Sequence, residues 1–323
     1  PLWHTLSLHD ALPISGDNYV VQLNGTSDII FKDLSFAATD SSYALIFDLN
    51  SGVSDLTVEN CSFTGMNTID DAADGGLIYT TDNVGNDITI KNSYFNMGAA
   101  AISLFGDAMA PSANVDVNSN MIQDVVSTGI VVADAVSPMV KSNKITTATT
   151  SDNFHAIDIA NATGTPEVAY NNILATNSQI GYGIVVATSQ CDSLNPGIVY
   201  NNMIQANATL GSTTLSCGLL HSESEFVNWY YNTVNMTGSD QNAVAMCVYD
   251  AVAGISKGAT IINNIFANQA AAYVYYVTGV DTSQITNDYN NLYQTGTGTY
   301  AYLGGNVSDF ADWQTKTGEA VHS

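Results

Sequence analysis

Short runs of alternating apolar and polar residues, broken by Gly, Asn, Asp and Ser, fill most of this chain and return as a repeat. The unit is a β-branched stretch, one or two Asn, then an apolar anchor, found ten times at intervals of 23 to 32 residues. In seven consecutive copies an Asn stands two residues before the anchor, as in Asn120-Met121-Ile122, Asn143-Lys144-Ile145, Asn172-Ile173-Leu174 and Asn202-Met203-Ile204. The series runs on through Asn232, Asn264 and Asn291, and looser early copies anchor on Phe36, Phe63 and Phe95. A period of this length is the mark of a solenoid.

Within a copy the period is two, not 3.6. The stretch Gly129-Ile130-Val131-Val132, a polar turn to Ser137, then Pro138-Met139-Val140-Lys141, then Asn143 and Lys144-Ile145-Thr146 reads as three strands with turns between them. First strands are legible at Ala44–Phe47, Gly76–Tyr79, Ala101–Leu104, Ala156–Ile159, Gly183–Val186 and Gly218–His221. No stretch shows sustained helical periodicity with caps. The pattern predicts an all-β parallel β-helix of about ten coils, which would stack to roughly 48 Å. Asn suits a tight turn because it tolerates left-handed backbone, and amides stacked one coil apart can hydrogen-bond along the row.

The motif Gly-Ile-x-Val, spacer, Val-x-x-Asn-x-Ile resembles that of secreted bacterial right-handed parallel β-helix repeat proteins, over roughly residues 25 to 305. That superfamily also holds pectate lyases and polygalacturonases. The resemblance implies a single-stranded right-handed β-helix and says little about activity. Tyr289-Asn290-Asn291-Leu292-Tyr293, with Asp312-Trp313-Gln314 and Thr317-Gly318, looks like the end segment of large β-helix proteins displayed on the surface of Gram-negative bacteria. In those proteins more chain follows, including a sorting domain.

The sequence divides into three parts. Thr5 to Ile14 matches an in-frame translation of a common short-read sequencing adapter, so residues 1–15 are expected to be non-native and are set aside, with His4, His9 and Asp10. Residues 16–305 are the β-helix, and 306–323 are expected to be a truncated C-terminal segment of a longer chain.

Composition narrows the partners. The chain has no Arg, six Lys and 30 acidic residues, a formal charge of −24, while charged residues make up only 11%. Nucleic acid and acidic membrane surfaces are poor partners for such a chain. Depletion of Lys and Arg, more than enrichment in acid, points to a secreted or cell-surface protein. No apolar run approaches the ~18 residues needed to span a bilayer. Cys61, Cys191, Cys217 and Cys247 have no metal-ligand spacing and read as buried core residues. Cys217 and Cys247, one coil apart, leave a bridge between coils open.

Candidate chemistry falls on the first strands, the face that β-helix enzymes use. A polyuronate lyase needs cationic side chains there, and none of the six Lys falls on a first strand. A hydrolase needs paired carboxylates about 5–9.5 Å apart. Asp70, Asp71 and Asp74 loosely resemble the paired Asp of polygalacturonases, but the companion Gly-His-Gly and Arg-x-Lys motifs are missing. They also lie about three coils, some 14 Å, from Asp158. The remaining catalytic constellation is Asp152, His155 and Asp158, with Asp158 facing outward between Val131 and Val185, where an apolar setting would raise an acid's pKa. Asp82, Asp107 and Asp134 follow successive first strands; carboxylates roughly 5 Å apart would need a bridging cation, which makes Ca²⁺ the one cofactor considered. Tyr249, Tyr273, Tyr275, Tyr276, Tyr300 and Tyr302 crowd the last coils. Of these, Tyr273, Tyr275, Tyr300 and Tyr302 are the candidate sugar platform, since flat rings with a polar tip suit sugar faces. His221 should point inward as a core histidine. The reading is a monomeric β-helix that binds polysaccharide or serves as an adhesin, the alternative being a carbohydrate-active enzyme on the first-strand face.

Overall fold

A computed structural model describes residues 19–40, 43–67, 71–148, 154–176, 180–208, 215–296 and 298–317. The adapter-like residues 1–15, together with Asp70 and Asp152, lie outside these. The chain winds as a right-handed parallel β-helix of about ten turns, with 56% strand and 5% helix. Three parallel sheets run its length. The first sheet begins at Tyr19–Asn24 and ends at Ala301–Leu303, closed by the antiparallel strand Asn306–Val307. The second runs from Ile29–Lys32 to Ile285–Asp288, and the third from Ser35–Ala37 to Asn291–Gln294. Every first strand anticipated from sequence lies in the first sheet.

The apolar anchors stack as expected. Phe36, Phe63 and Phe95 pair in register in the third sheet, with ring centroids 5.2 and 4.8 Å apart. The column continues inward through Ile122, Ile145, Ile173, Ile204, Val234 and Phe266. Each layer buries its own apolar set, so the core grows with the number of coils rather than with the width of the molecule.

The Asn row differs from the expectation in two ways. In the pairs Asn171-Asn172 and Asn290-Asn291 its members are Asn171 and Asn290, not Asn172 and Asn291. None of them carries the left-handed backbone. That falls one residue earlier, at Asp33, Asn60, Asn92, Ser119, Ser142, Tyr170, Asn201, Tyr231, Asn263 and Tyr289, with φ between 51° and 59°. The Asn is needed for its amide. In Asn202, Oδ1 accepts from the backbone N–H and the Nδ2 of Asn171, both at 3.0 Å. Its own Nδ2 donates to Val168 O at 2.9 Å and to Asn232 Oδ1 at 2.9 Å. Both amide atoms are saturated and Asn202 is fully buried, so an aliphatic residue would leave its backbone partners unsatisfied.

The C-terminal segment contains a helix, Phe310–Thr317. The sequence shows no helical periodicity there because eight residues make only two turns, with one buried anchor, Trp313. Asp309 caps it, accepting the N–H of Asp312 at 2.9 Å, while Asp312 accepts the N–H of Ser308 at 3.0 Å. Trp313 packs on Tyr275 at 4.9 Å, laying the helix against the end of the core. Among the described residues no helix is long and apolar enough to cross a membrane.

Candidate functional site

Strict alternation fails at one point in nearly every first-sheet strand. Two consecutive residues face the core there, a small one and then a large one in most coils: Ala101-Ile102, Gly129-Ile130, Ala156-Ile157, Gly183-Ile184, Gly218-Leu219 and Ala245-Met246. The first of the pair has almost no room. A Cβ on Gly183 would stand 2.4 Å from the Gly218 carbonyl oxygen, and one on Gly218 would stand 2.3 Å from Val234 Cγ1. The doublet explains why Gly or Ala precedes Ile in the repeat. It also brings residues three apart onto one outer face.

This is what unites His155 and Asp158. Flanking the Ala156-Ile157 doublet, both point outward, and Nδ1 of His155 lies 3.2 Å from Oδ2 of Asp158. The strand register sets His155 between Thr128 and Tyr182, and Asp158 between Val131 and Val185. With the carboxylate accepting, Nδ1 of His155 is the donor of this bond. Nε2 of His155 and Oδ1 of Asp158 are both buried with no hydrogen-bond partner among the described residues. Tyr182 meets the imidazole edge to face at 4.7 Å. Burial first, then the neighbouring Cys217, Cys247 and Asp158, push its hydroxyl up to about 12, so it stays a neutral donor. Asp48, four coils toward the N-terminus on the same face, is a contrast: its carboxylate accepts from Gln22 Nε2 at 2.8 Å, Asn50 Nδ2 at 2.9 Å and Thr81 Oγ1. Of the sequence-derived constellation, His155 and Asp158 are brought together, and Asp152 falls outside the described residues.

Beyond Asp158 the outer face turns apolar. Val185, Cys217, Leu220, Val244 and Cys247 are buried there as a second cluster separate from the core, with Tyr182, Leu215, Tyr273 and Tyr276 packed on it. All four cysteines are free and buried. Burial raises the Cys217 thiol well above its ordinary range, and the adjacent Cys247 adds to the effect.

The doublet also re-sorts the tyrosines. Val274 and Tyr275 form the inward pair of the tenth coil, so Tyr275 lies in the core against Phe266 and Trp313. Ala301 pairs with Tyr275, which makes Tyr300 the first member of the next inward pair. Tyr300 packs on the core, donates to Leu292 O at 3.3 Å, and burial pushes its hydroxyl up to about 12. The outward set is Tyr273, Tyr276 and Tyr302. Tyr276 and Tyr302 stack with centroids 4.9 Å apart and planes 19° from parallel, and Tyr273 stands 5.4 and 5.9 Å from them. Tyr182 and Tyr276 are thus site residues that alternation misses; the recurrent Gly-Ile and Ala-Ile pairs were the signal for them.

The three aspartates after the first strands occupy unequal positions. Asp134 is itself the left-handed turn residue, its N–H donating to Ala160 O at 3.1 Å and its carbonyl accepting the Ser112 N–H at 3.0 Å. Asp107 lies two residues past Phe105, which is in register with Ala133, and its carboxylate accepts the N–H of Met109 at 2.8 Å. Asp82 precedes Val84, whose N–H reaches Phe105 O. Register therefore does not stack the three side chains, and no group of three or more metal-ligating side chains is found among the described residues. Five lysines, Lys32, Lys91, Lys141, Lys257 and Lys316, pair with carboxylates away from the first sheet. Comparison with known protein families finds no matching family, and no curated protein matches the chain in sequence.

Proposed function

We propose that this β-helix is an extracellular or cell-surface protein that holds polysaccharide on the outer face of its first sheet, without catalysis of its own. The observation that carries the reading is the stacked pair Tyr276 and Tyr302 with Tyr273 beside it. These rings form a flat facet on the outer face of the last two coils, next to the apolar cluster around Cys217 and Cys247. Sugar rings stack on such facets through their C–H faces while the phenol hydroxyls meet their hydroxyls. The face presents no lysine, as a lyase handling uronate carboxylates would require.

A second reading, a carbohydrate-active enzyme, is favoured by the His155–Asp158 pair, whose Nε2 is buried without a partner among the described residues. An oriented imidazole of that kind is a competent general base where a proton lies within reach. One screen separates the two. The full chain is passed over immobilised neutral and acidic glycans and incubated with the same polymers, with Ca²⁺ and then with chelator. Retention that falls in Tyr276→Ala/Tyr302→Ala, with no new reducing ends, is the expected result. Product formation that disappears in Asp158→Asn would replace the binding reading with the enzymatic one. Neither retention nor product would sink both.

A further inference from the structure

The corner between the second and third sheets carries the left-handed row, and in the last five coils that row reads Tyr170, Asn201, Tyr231, Asn263, Tyr289. Seven of the ten corner positions hold Asp, Asn or Ser, the residues that tolerate this backbone. A tyrosine there is strained where Asn would not be, so local preference does not account for three of them. Nor does burial in the core, because Tyr170, Tyr231 and Tyr289 are 54%, 58% and 52% exposed. Strain held at an exposed aromatic points to a use for the ring.

The spacing says which use. The tyrosines recur every second coil, about 9.6 Å apart, with an exposed Asn amide between each pair. Neighbours brace two of them. Tyr200 meets Tyr170 edge to face at 5.2 Å and is fixed by its own hydroxyl on Glu167 at 2.7 Å, and Tyr230 lies 6.5 Å from Tyr231. One coil advances by close to the length of one pyranose in an extended chain linked 1,4 through equatorial bonds. In such a chain successive rings flip, so the same sugar face returns at every second residue, in step with the tyrosines. The Asn amides between them offer a donor and an acceptor to the intervening hydroxyls. Glu167, beside this row, and the net charge of −24 disfavour a uronate chain.

We propose that this corner is a second glycan-binding face, running parallel to the solenoid axis, that takes a neutral β-1,4-linked polysaccharide. It shares with the reading above the premise that the chain binds polysaccharide, but it uses different residues. The test is affinity electrophoresis of the full chain in gels containing hydroxyethylcellulose or glucomannan, with laminarin (1,3-linked) and polygalacturonate as comparison polymers. Wild type should be retarded by the neutral 1,4-linked polymers more than by laminarin. The triple variant Tyr170→Asn/Tyr231→Asn/Tyr289→Asn should lose affinity at least about tenfold. Its Tm should be unchanged or higher, because Asn relieves the backbone strain; a lowered Tm would contradict the strain argument. Tyr276→Ala/Tyr302→Ala should keep this binding. Undiminished retardation of the triple variant, equal retardation by laminarin, or no retardation of wild type by either 1,4-linked polymer would overturn the corner face. Retardation by the neutral 1,4-linked polymers that is lost in Tyr276→Ala/Tyr302→Ala and kept in the triple variant would overturn the corner while leaving the first-sheet reading intact.

Discussion

His155 and His221 lie in the same sheet two coils apart and face opposite ways. His221 follows the inward doublet by two residues and sits wholly inside. Its Nδ1 accepts the Trp229 indole N–H at 3.4 Å, so Nε2 carries the proton and donates to Ser224 O at 3.0 Å. Burial lowers its pKa to about 4, against smaller opposing effects from the Ser224 carbonyl and Asp250. The unfolded chain therefore binds this proton more readily than the folded one between pH 6.5 and 4. The contribution is complete above pH 6.5 and is lost as pH falls toward 4, an amount of about 3 kcal/mol. Urea unfolding of wild type and His221→Gln at a series of pH values should show their difference shrinking by about that amount from pH 7 to pH 4. A difference that is flat across the range would mean that this imidazole does not titrate on unfolding. Its inward direction was legible from alternation alone, because it lies on the regular side of the doublet.

At the scale of the strand the doublet is the feature that alternation hides. It decides that His155 and Asp158 share a face, and that Tyr275 and Tyr300 do not join Tyr276 and Tyr302. Its small first residue exists because the backbone of the next coil passes close by. Gly183→Ala places a methyl 2.4 Å from the Gly218 carbonyl oxygen, although Gly183 needs no left-handed backbone. Such overpacking should destabilise the protein by about 1–3 kcal/mol, read as a lower urea midpoint with unchanged m-value. A neutral or stabilising substitution would show that the coil can spread at that point. The Asn row shows the same limit on reading sequence. In Asn171-Asn172 and Asn290-Asn291 either residue satisfies the pattern, and only the register of the sheets selects the first.

For the molecule as a whole, stability is the sum of layers and their neighbours. Removing residues 202–231 joins Asn201, a left-handed corner residue, to Asn232, the equivalent of the deleted Asn202 in the amide row. The shortened chain should keep the far-ultraviolet spectrum of a parallel β-helix and unfold with an m-value lower by about a tenth, in line with the surface lost. Loss of all cooperative unfolding would show that this coil is a nucleus the others depend on. The charge of −24 acts at this scale too, since most of the lysines are taken up in pairs along the second sheet and its corner rather than on the first-sheet face.

The sequence by itself determined the solenoid, its three strands per turn, its stacked anchors and the existence of an amide row. Each of these is a periodic signal repeated about ten times, and repetition averages out local ambiguity. It also fixed the absence of Arg from the chain and of Lys from the first strands. What only the tertiary structure decided were facts that depend on one residue of phase: which Asn of a pair is in the row, which tyrosines face outward, and which corner residues bear the strained backbone. A period of two changes face with every single-residue shift, and the doublet introduces that shift once in nearly every coil. The outer face is therefore set by how closely neighbouring coils pack, a distance that does not appear in the order of residues along any one of them.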